Sequence, residues 1–284
     1  GATAIQHILL DEVDRVEIVR GNVSSLYGSA AIGGVIQIFT RRGEGAPAPA
    51  VEAMAGARGT SKLSAGYGGR VGDTRFSFSA SRFDTDGFSA IDPRLAPGAN
   101  PDRDGYENTR LAGSLSHHLS ARNEVGLSLY STQGRVEFDS AFDAPTDTHV
   151  SKQDLEAMSA WWEARPRERW MSRVVVGQGT DYRTDFLNGA VTSVSNTRNR
   201  QASWDNDVRV APEHRISLGL EVLRQELANS AFTQRLHRDV DVLRAGYVAR
   251  LDRHSLQLNG RSEDYSDFGK ADTYFAGYGF DLTE

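Results

Sequence analysis

The chain has 284 residues and no cysteine, room for one large or two ordinary domains but for neither a disulfide framework nor a thiolate metal site. A formal net charge of -6 removes any global pull toward nucleic acid. No segment approaches the ~18 to 20 apolar residues of a transmembrane helix, an exclusion that does not reach barrel strands, whose hydropathy signal is weak.

Residues 1–45 are compact and punctuated by glycine. Val13, Val16, Ile18 and Val19 predict a mostly buried strand, and Val35, Ile36, Ile38 and Phe39 a second. Between them lies a glycine-rich loop with Gly21, Gly28, Gly33 and Gly34. The run 41–49 is charged, then rich in Gly, Ala and Pro, and reads as a linker. The chain opens mid-pattern without Met, so it is expected to be a piece of a longer protein.

From Val51 onward the pattern is period two. Strands are expected over 51–59, 60–71, 74–84, 109–119, 124–131, 154–163, 170–182, 197–210, 215–226, 240–250, 255–264 and 273–282. Within 74–84, Phe76, Phe78 and Ala80 alternate with Arg75, Ser77, Ser79 and Ser81. Short turns alternate with long loops, the longest being 85–108 and 132–153. Trp161, Trp162, Trp170, Tyr67, Tyr274, Phe275, Tyr278 and Phe280 lie near strand ends, where interfacial aromatics sit in membrane barrels. The fold class is therefore all-β. A soluble sandwich or solenoid also alternates, but the regular loop asymmetry and the strongly polar opposite faces favour a transmembrane antiparallel barrel. About twelve strands would be half of a plugged barrel of about 22.

The order Val16-Glu17-x-x-Arg20-Gly21, then Tyr27-Gly28-Ser29-x-Ala31-Ile32-Gly33-Gly34-Val35-Ile36, is similar to the plug of TonB-dependent outer-membrane receptors. The resemblance covers about the first forty residues. It implies the C-terminal part of a plug domain over 1–45, then the N-terminal half of a barrel over 46–284. It implies active uptake across a Gram-negative outer membrane, with TonB, outer-membrane lipid and lipopolysaccharide as partners and no nucleic acid. The segment that TonB grips is not in this sequence. Arg20 is expected to be a buried cation with carboxylate partners on the barrel wall. A phosphate-binding loop is disfavoured, since no G-K-[ST] ending or strand–helix context follows.

The loops are acidic. One carries Asp84, Asp86, Asp92, Asp102, Asp104 and Glu107, the next Glu137, Asp139, Asp143 and Asp147. Such runs are commonly solvated, self-repelling surface, yet Asp102-Arg103-Asp104-Gly105 has the carboxylate spacing and turn that suit a hard cation. Pro101 to Tyr106 and Phe138-Asp139 resemble the calcium-binding loops of the cobalamin-receptor subfamily, as Arg261-Ser262-Glu263-Asp264 resembles its barrel. That likeness implies Ca²⁺ on Asp102, Asp104 and Asp139, and cobalamin as substrate. Another aspartate of the subfamily falls near Ser89, a departure that would weaken one cation site or shift its coordination to Asp86 or Asp92. A ferric-siderophore receptor, a passive porin and a soluble glycan-binding β-protein are the alternatives. The 7 histidines are scattered and no G-x-S-x-G or H-E-x-x-H occurs, so catalysis is not expected.

Overall fold

A computed structural model describes residues 5–7, 13–21, 23–89, 91, 92, 94, 96, 99–231 and 234–282. A 3₁₀ turn at Ile5–His7 precedes β1 (Val13–Arg20), a one-turn helix α1 (Ser24–Tyr27) and β2 (Gly34–Thr40). β1 and β2 pair antiparallel, with Ile18 opposite Ile36 and Arg20 opposite Gly34. Gly34 has φ +137°, and a Cβ there would run into the Val19 carbonyl oxygen, so the hairpin closes only on glycine.

Twelve strands follow: β3 (Ala48–Ala55), β4 (Ser61–Val71), β5 (Thr74–Thr85), β6 (Tyr106–Ser120), β7 (Asn123–Phe138), β8 (His149–Arg167), β9 (Trp170–Leu187), β10 (Ala190–Ala211), β11 (His214–Asn229), β12 (Leu236–Leu251), β13 (His254–Tyr265) and β14 (Gly269–Phe280). They form one antiparallel meander in which each strand pairs only with its chain neighbours, from β3 at one edge to β14 at the other. This is the expected all-β architecture: a small plug hairpin and a twelve-stranded barrel sheet. The boundary drawn at 45/46 falls in the segment between β2 and β3.

Several strands run far past the expected bounds. β7 extends to Phe138 and β8 begins at His149, so the expected 132–153 loop shrinks to 139–148. β9 and β10 meet at the tight turn Asn188–Gly189, so 183–196 is hairpin rather than loop. At about 3.3 Å per residue the 22-residue β10 is about 70 Å long. That exceeds a ~30 Å hydrocarbon layer. The extra length of ladder carries polar residues on both faces, which is why alternation does not reveal it. At one end every turn is two residues long (72–73, 121–122, 168–169, 212–213, 252–253). The other end carries the long 86–105 connection.

The burial pattern identifies the two faces. Ser114 donates to the Arg41 carbonyl at 3.3 Å, and the plug touches Asn108, Thr132, Glu263 and Tyr265. These residues mark the inner face. The registers place Phe78, Leu127, Leu129, Trp162, Trp204, Leu220, Val222 and Leu243 on the other face, and all are exposed. Buried side chains are mainly polar, including Arg110, Asn108, Thr132, Gln153, Arg261 and Glu263. Polar inside and apolar outside inverts the pattern of a water-soluble fold and matches that of membrane barrels.

Three expectations fail against this geometry. Val16 and Ile18 of β1 and Ile36 of β2 are exposed rather than buried, at 45%, 61% and 54%, because among the described residues no sheet packs on that face. Trp161 faces inward opposite Gly126, beneath the Arg173 guanidinium, so it is no interfacial aromatic. Phe275, opposite Asn259, also faces inward. For both aromatics a neighbour, Trp162 or Tyr274, takes the outward position, as period-two geometry requires.

Candidate functional site

Two places gather polar side chains from distant parts of the chain. The first lies in the long connections above the sheet. Asp102, Asp104 and Asp139 each present a carboxylate oxygen within 4.8 Å of the others. Asp102 is exposed, and Asp104 and Asp139 are half-buried. Asn100 Nδ2 donates to Asp102 at 3.0 Å and to the Asp147 carbonyl at 3.2 Å, which ties the two connections together. The Gly105 N–H donates to Glu137 at 3.0 Å and the Glu137 N–H returns to the Gly105 carbonyl at 2.9 Å. These bonds hold the 102–104 segment over the start of the 139–148 loop.

The three aspartates singled out in the sequence are thus brought together. Asp86 and Asp92 do not join that cluster. Arg94 grips Asp92 with bonds of 2.7 to 3.2 Å and holds its carboxyl below the usual range. Arg103 donates to Asp86 at 3.3 Å. Ser89 instead donates its Oγ to Asp139 Oδ2 at 2.7 Å, so a neutral oxygen stands beside the cluster. Asp147 carries a lowered pKa, through bonds from Asn188 and from the Ala144 N–H. Three converging carboxylates repel one another unless a cation or proton intervenes, and an oxygen-only donor set suits a hard cation such as Ca²⁺.

The second place is the contact between plug and wall. α1 ends at Gly28, whose φ is +105°. A Cβ there would press on Glu263 and Arg261. This close approach lets the Ser29 N–H donate to Glu263 Oε2 at 2.9 Å, while Ser29 Oγ meets the Tyr265 hydroxyl at 2.7 Å. Tyr265 also donates to Glu263 at 3.0 Å. Arg261 Nε donates to Glu263 Oε1 at 2.9 Å and lies 3.5 Å from Glu221. Arg261 and Glu263 are buried, at 7% and 3% exposure. The plug residue thus supplies one neutral donor, its N–H, to a wall carboxylate that a wall arginine already balances.

On the other side of the plug, His7 is buried against β6 and β7. Its ring stacks on Tyr106 with centroids 5.6 Å apart. Tyr106 directs its single O–H to the Gln6 carbonyl at 3.1 Å, so His7 Nδ1, 3.0 Å from that oxygen, is the donor. The His7 carbonyl accepts from Asn108 and Thr132, both at 3.3 Å. Burial lowers the pKa of His7, against the opposing pull of Asp181.

The plug signature is therefore only partly a contact surface. Gly28 touches the wall. Gly21, with φ +99°, and Gly34 shape the plug's own turns. A Cβ at Gly33 would meet nothing within 4 Å, and Tyr27 is exposed. Arg20 is exposed rather than buried, and among the described residues it makes no ion pair. Ser29, His7, Tyr265 and Glu221 make contacts that sequence reasoning misses. The one available signal is the pair Arg261 and Glu263, two charges on the same strand face.

The fold and the glycine-rich hairpin against its inner face have the architecture of a plugged barrel, and comparison with known proteins agrees. The TonB-dependent Receptor Plug Domain family profile matches residues 1–35. A curated relative, Vitamin B12 transporter BtuB of Photobacterium profundum, is 25% identical over 286 residues, spanning 100% of this chain and 46% of that protein. The siderophore receptor PirA from Acinetobacter baumannii superposes with TM-score 0.79 at 14% identity, over 98% of this chain and 47% of its own. The ferric enterobactin receptor PfeA of Pseudomonas aeruginosa, in a mutant form, gives 0.77 at 16%, over 100% and 48%. The chain spans about half the length of the relatives it matches. These findings support part of a TonB-dependent receptor, with the profile match at the plug hairpin and the shared fold over the strands.

Proposed function

We infer that the receptor represented by this chain takes up a scarce metal-chelate nutrient, most specifically cobalamin, across a Gram-negative outer membrane with energy supplied through TonB. The observation that carries the reading is the convergence of Asp102, Asp104 and Asp139 from two connections at the long-loop end. Their carboxylates would hold Ca²⁺, and Ser89 and Asn100 would orient them. The cation would supply the positive charge that lets these acidic loops close together over substrate. In this reading the plug fills the lumen at rest. Its wall contacts at Ser29 and His7 are the bonds that a pull by TonB must break before a path opens. The curated relative named as a vitamin B12 transporter supports cobalamin over other chelates.

Equilibrium binding of cyanocobalamin to the full-length protein in detergent tests this, with Ca²⁺ and with a chelator. The expected result is tight binding that weakens at least tenfold on chelation, and the same weakening in Asp102→Ala/Asp104→Ala with Ca²⁺ present. Binding of equal strength with and without Ca²⁺ would return the loops to ordinary surface charge. A ferric siderophore is the second reading, favoured by the fold shared with PirA and PfeA. Binding of a ferric catecholate, and none of cobalamin, would establish it.

A further inference from the structure

The short-turn end of the sheet is basic. The chain as a whole carries a net charge of -6. Yet the turns joining β6 to β7, β8 to β9 and β10 to β11 bring together Arg122, Arg165, Arg167, Arg169, Arg209 and Arg215, all exposed. Backbone bonds of 2.8 Å join the three turns into one arc, from the Arg165 N–H to the Arg122 carbonyl and from the Arg209 N–H to the Arg169 carbonyl. Arg209 and Arg215 are direct cross-strand partners. Like charges placed opposite each other on one sheet face are unfavourable, so this pair is a local fault unless an anion lies against it.

The carboxylates of the arc do not neutralise it. They are Glu163, Glu168 and Glu213, three against six arginines. Glu163 is shared between Arg165 at 3.4 Å and Arg173 at 3.3 Å. Among the described residues, Arg122, Arg167, Arg169, Arg209 and Arg215 make no ion pair. Deeper in the lumen the charges are matched: Arg244 pairs with Asp205, Arg75 with Glu124, and Asp207 accepts from the Ser217 hydroxyl. The unmatched side chains also turn away from the outer surface. Arg165 follows Glu163, and Arg209 and Arg215 continue the rows of Asp207 and Ser217, on the inner face that carries Arg173 and Asp205. The outward residues at the same level are Trp170, Val208 and Ile216.

We propose that this arc is a docking surface for an extended, carboxylate-rich segment of a periplasmic protein. The proposal rests on the reading of the sheet as an outer-membrane barrel whose short turns face the periplasm. The contact is made by the barrel wall itself. Planar guanidinium forks match carboxylate oxygens two at a time, and an anion shared by Arg209 and Arg215 removes their mutual repulsion. Neighbouring strands lie about 4.8 Å apart, so successive turns of the arc are about 10 Å apart. An extended chain advances about 3.3 Å per residue, which sets carboxylates three residues apart at the same spacing. A peptide therefore reaches two or three turns at once, where a single small anion reaches one. Hairpins closed by two-residue turns hold the arginines in place before the partner arrives, which limits the ordering cost. The apolar outward residues place lipid on the opposite side of the sheet from Arg165, Arg209 and Arg215.

The test is fluorescence anisotropy of a labelled deca-glutamate peptide titrated with the full-length protein in neutral detergent. Wild type should bind it, and deca-lysine should not bind. Arg209→Gln/Arg215→Gln should weaken binding about tenfold, as loss of two exposed ion pairs predicts, and added salt should weaken wild-type binding. Arg200→Gln/Arg224→Gln removes the same charge from the outward face, where those two arginines also oppose each other, and should leave peptide affinity unchanged. No binding by wild type would overturn the proposal, as would equal affinity in wild type and Arg209→Gln/Arg215→Gln. So would an equal loss in the outward variant, which would make the attraction one of overall charge. Loss of the peptide signal when the receptor sits in phosphatidylglycerol nanodiscs would also overturn it, since lipid would then hold the arginines. Arg167→Gln/Arg169→Gln, at the exposed turn, gives the same readout if the first variant folds poorly. Cyanocobalamin affinity belongs to the opposite end and should be unchanged in every variant, so failure here is separable from failure of the uptake reading.

Discussion

Replacing Glu263 by alanine should loosen the plug from the wall. The carboxylate is 3% exposed and accepts from the Ser29 N–H, the Tyr265 hydroxyl and Arg261 Nε, all within 3.0 Å. Without it Arg261, itself 7% exposed, keeps only Glu221 at 3.5 Å. Removing one partner of a buried charge pair costs about 3 to 5 kcal/mol. Part of that loss falls on the wall alone, since Arg261 and Glu221 belong to the barrel. The plug's own share is the charged bond to Ser29, about 1.5 to 3 kcal/mol. At 1.4 kcal/mol per decade that is about 10- to 100-fold more undocked plug. Hydrogen exchange of the plug amides in the detergent-solubilised receptor reads this directly. Exchange of β2 and the α1 segment should accelerate by that factor, while exchange of β7 to β9 stays unchanged. Glu263→Gln keeps an acceptor for Ser29 and should fall between the two. If β2 in Glu263→Ala exchanges at the wild-type rate, the Ser29–Glu263 contact does not hold the plug.

Two further outcomes follow from the same geometry. Burial lowers the pKa of His7 below its ordinary 6.5, so the docked plug disfavours the proton that the released segment would bind. The stability from that neutral ring is fully present above about pH 6.5 and is lost as pH falls through the lowered pKa. Plug opening near His7, taken from exchange rates divided by the intrinsic amide rate at each pH, should therefore rise between pH 7.5 and pH 5 in wild type, and His7→Phe should flatten that response; an unchanged slope in the variant would assign the effect to other groups. On the outward face, Leu220→Arg places a charge in the apolar band beside Trp204 and Leu243. It should reduce folding stability in lipid vesicles by about 2 to 4 kcal/mol, and a loss below about 0.5 kcal/mol, on the order of an ordinary surface substitution, would contradict the assignment of faces.

Much of this architecture is legible in the residues because strand geometry is strictly local. Phe76 and Phe78 against Arg75 and Ser77 need no partner to show two faces, and twelve such segments predict twelve strands. The plug order around Gly28 and Gly34 is legible for a related reason. Those positions tolerate no Cβ, so the constraint is written as residue identity. The three loop aspartates are legible through spacing and resemblance, and their meeting within 4.8 Å accords with that.

What the residues hide depends on partners far away in the chain. Strand ends read too short because ladder bonds continue where apolar alternation stops, as between β9 and β10 at Asn188–Gly189. Arg20 resembles a buried ion because it is charged and precedes a glycine, yet among the described residues the buried charges are Arg110, Arg261 and Glu263, with Ser29 as the plug's contribution against Glu263. Ser29 and Glu263 are separated by 234 positions, and His7 and Tyr106 by 99. The opposition of Arg200 to Arg224 is equally invisible, since a shift of one residue would turn one of them inward. Local pattern by itself determined the class of fold, the number of strands and the acidic loops, because period, turn chemistry and charge act over a few residues. Only tertiary structure decided which polar groups share a buried contact, because register and plug placement are collective properties of the whole sheet.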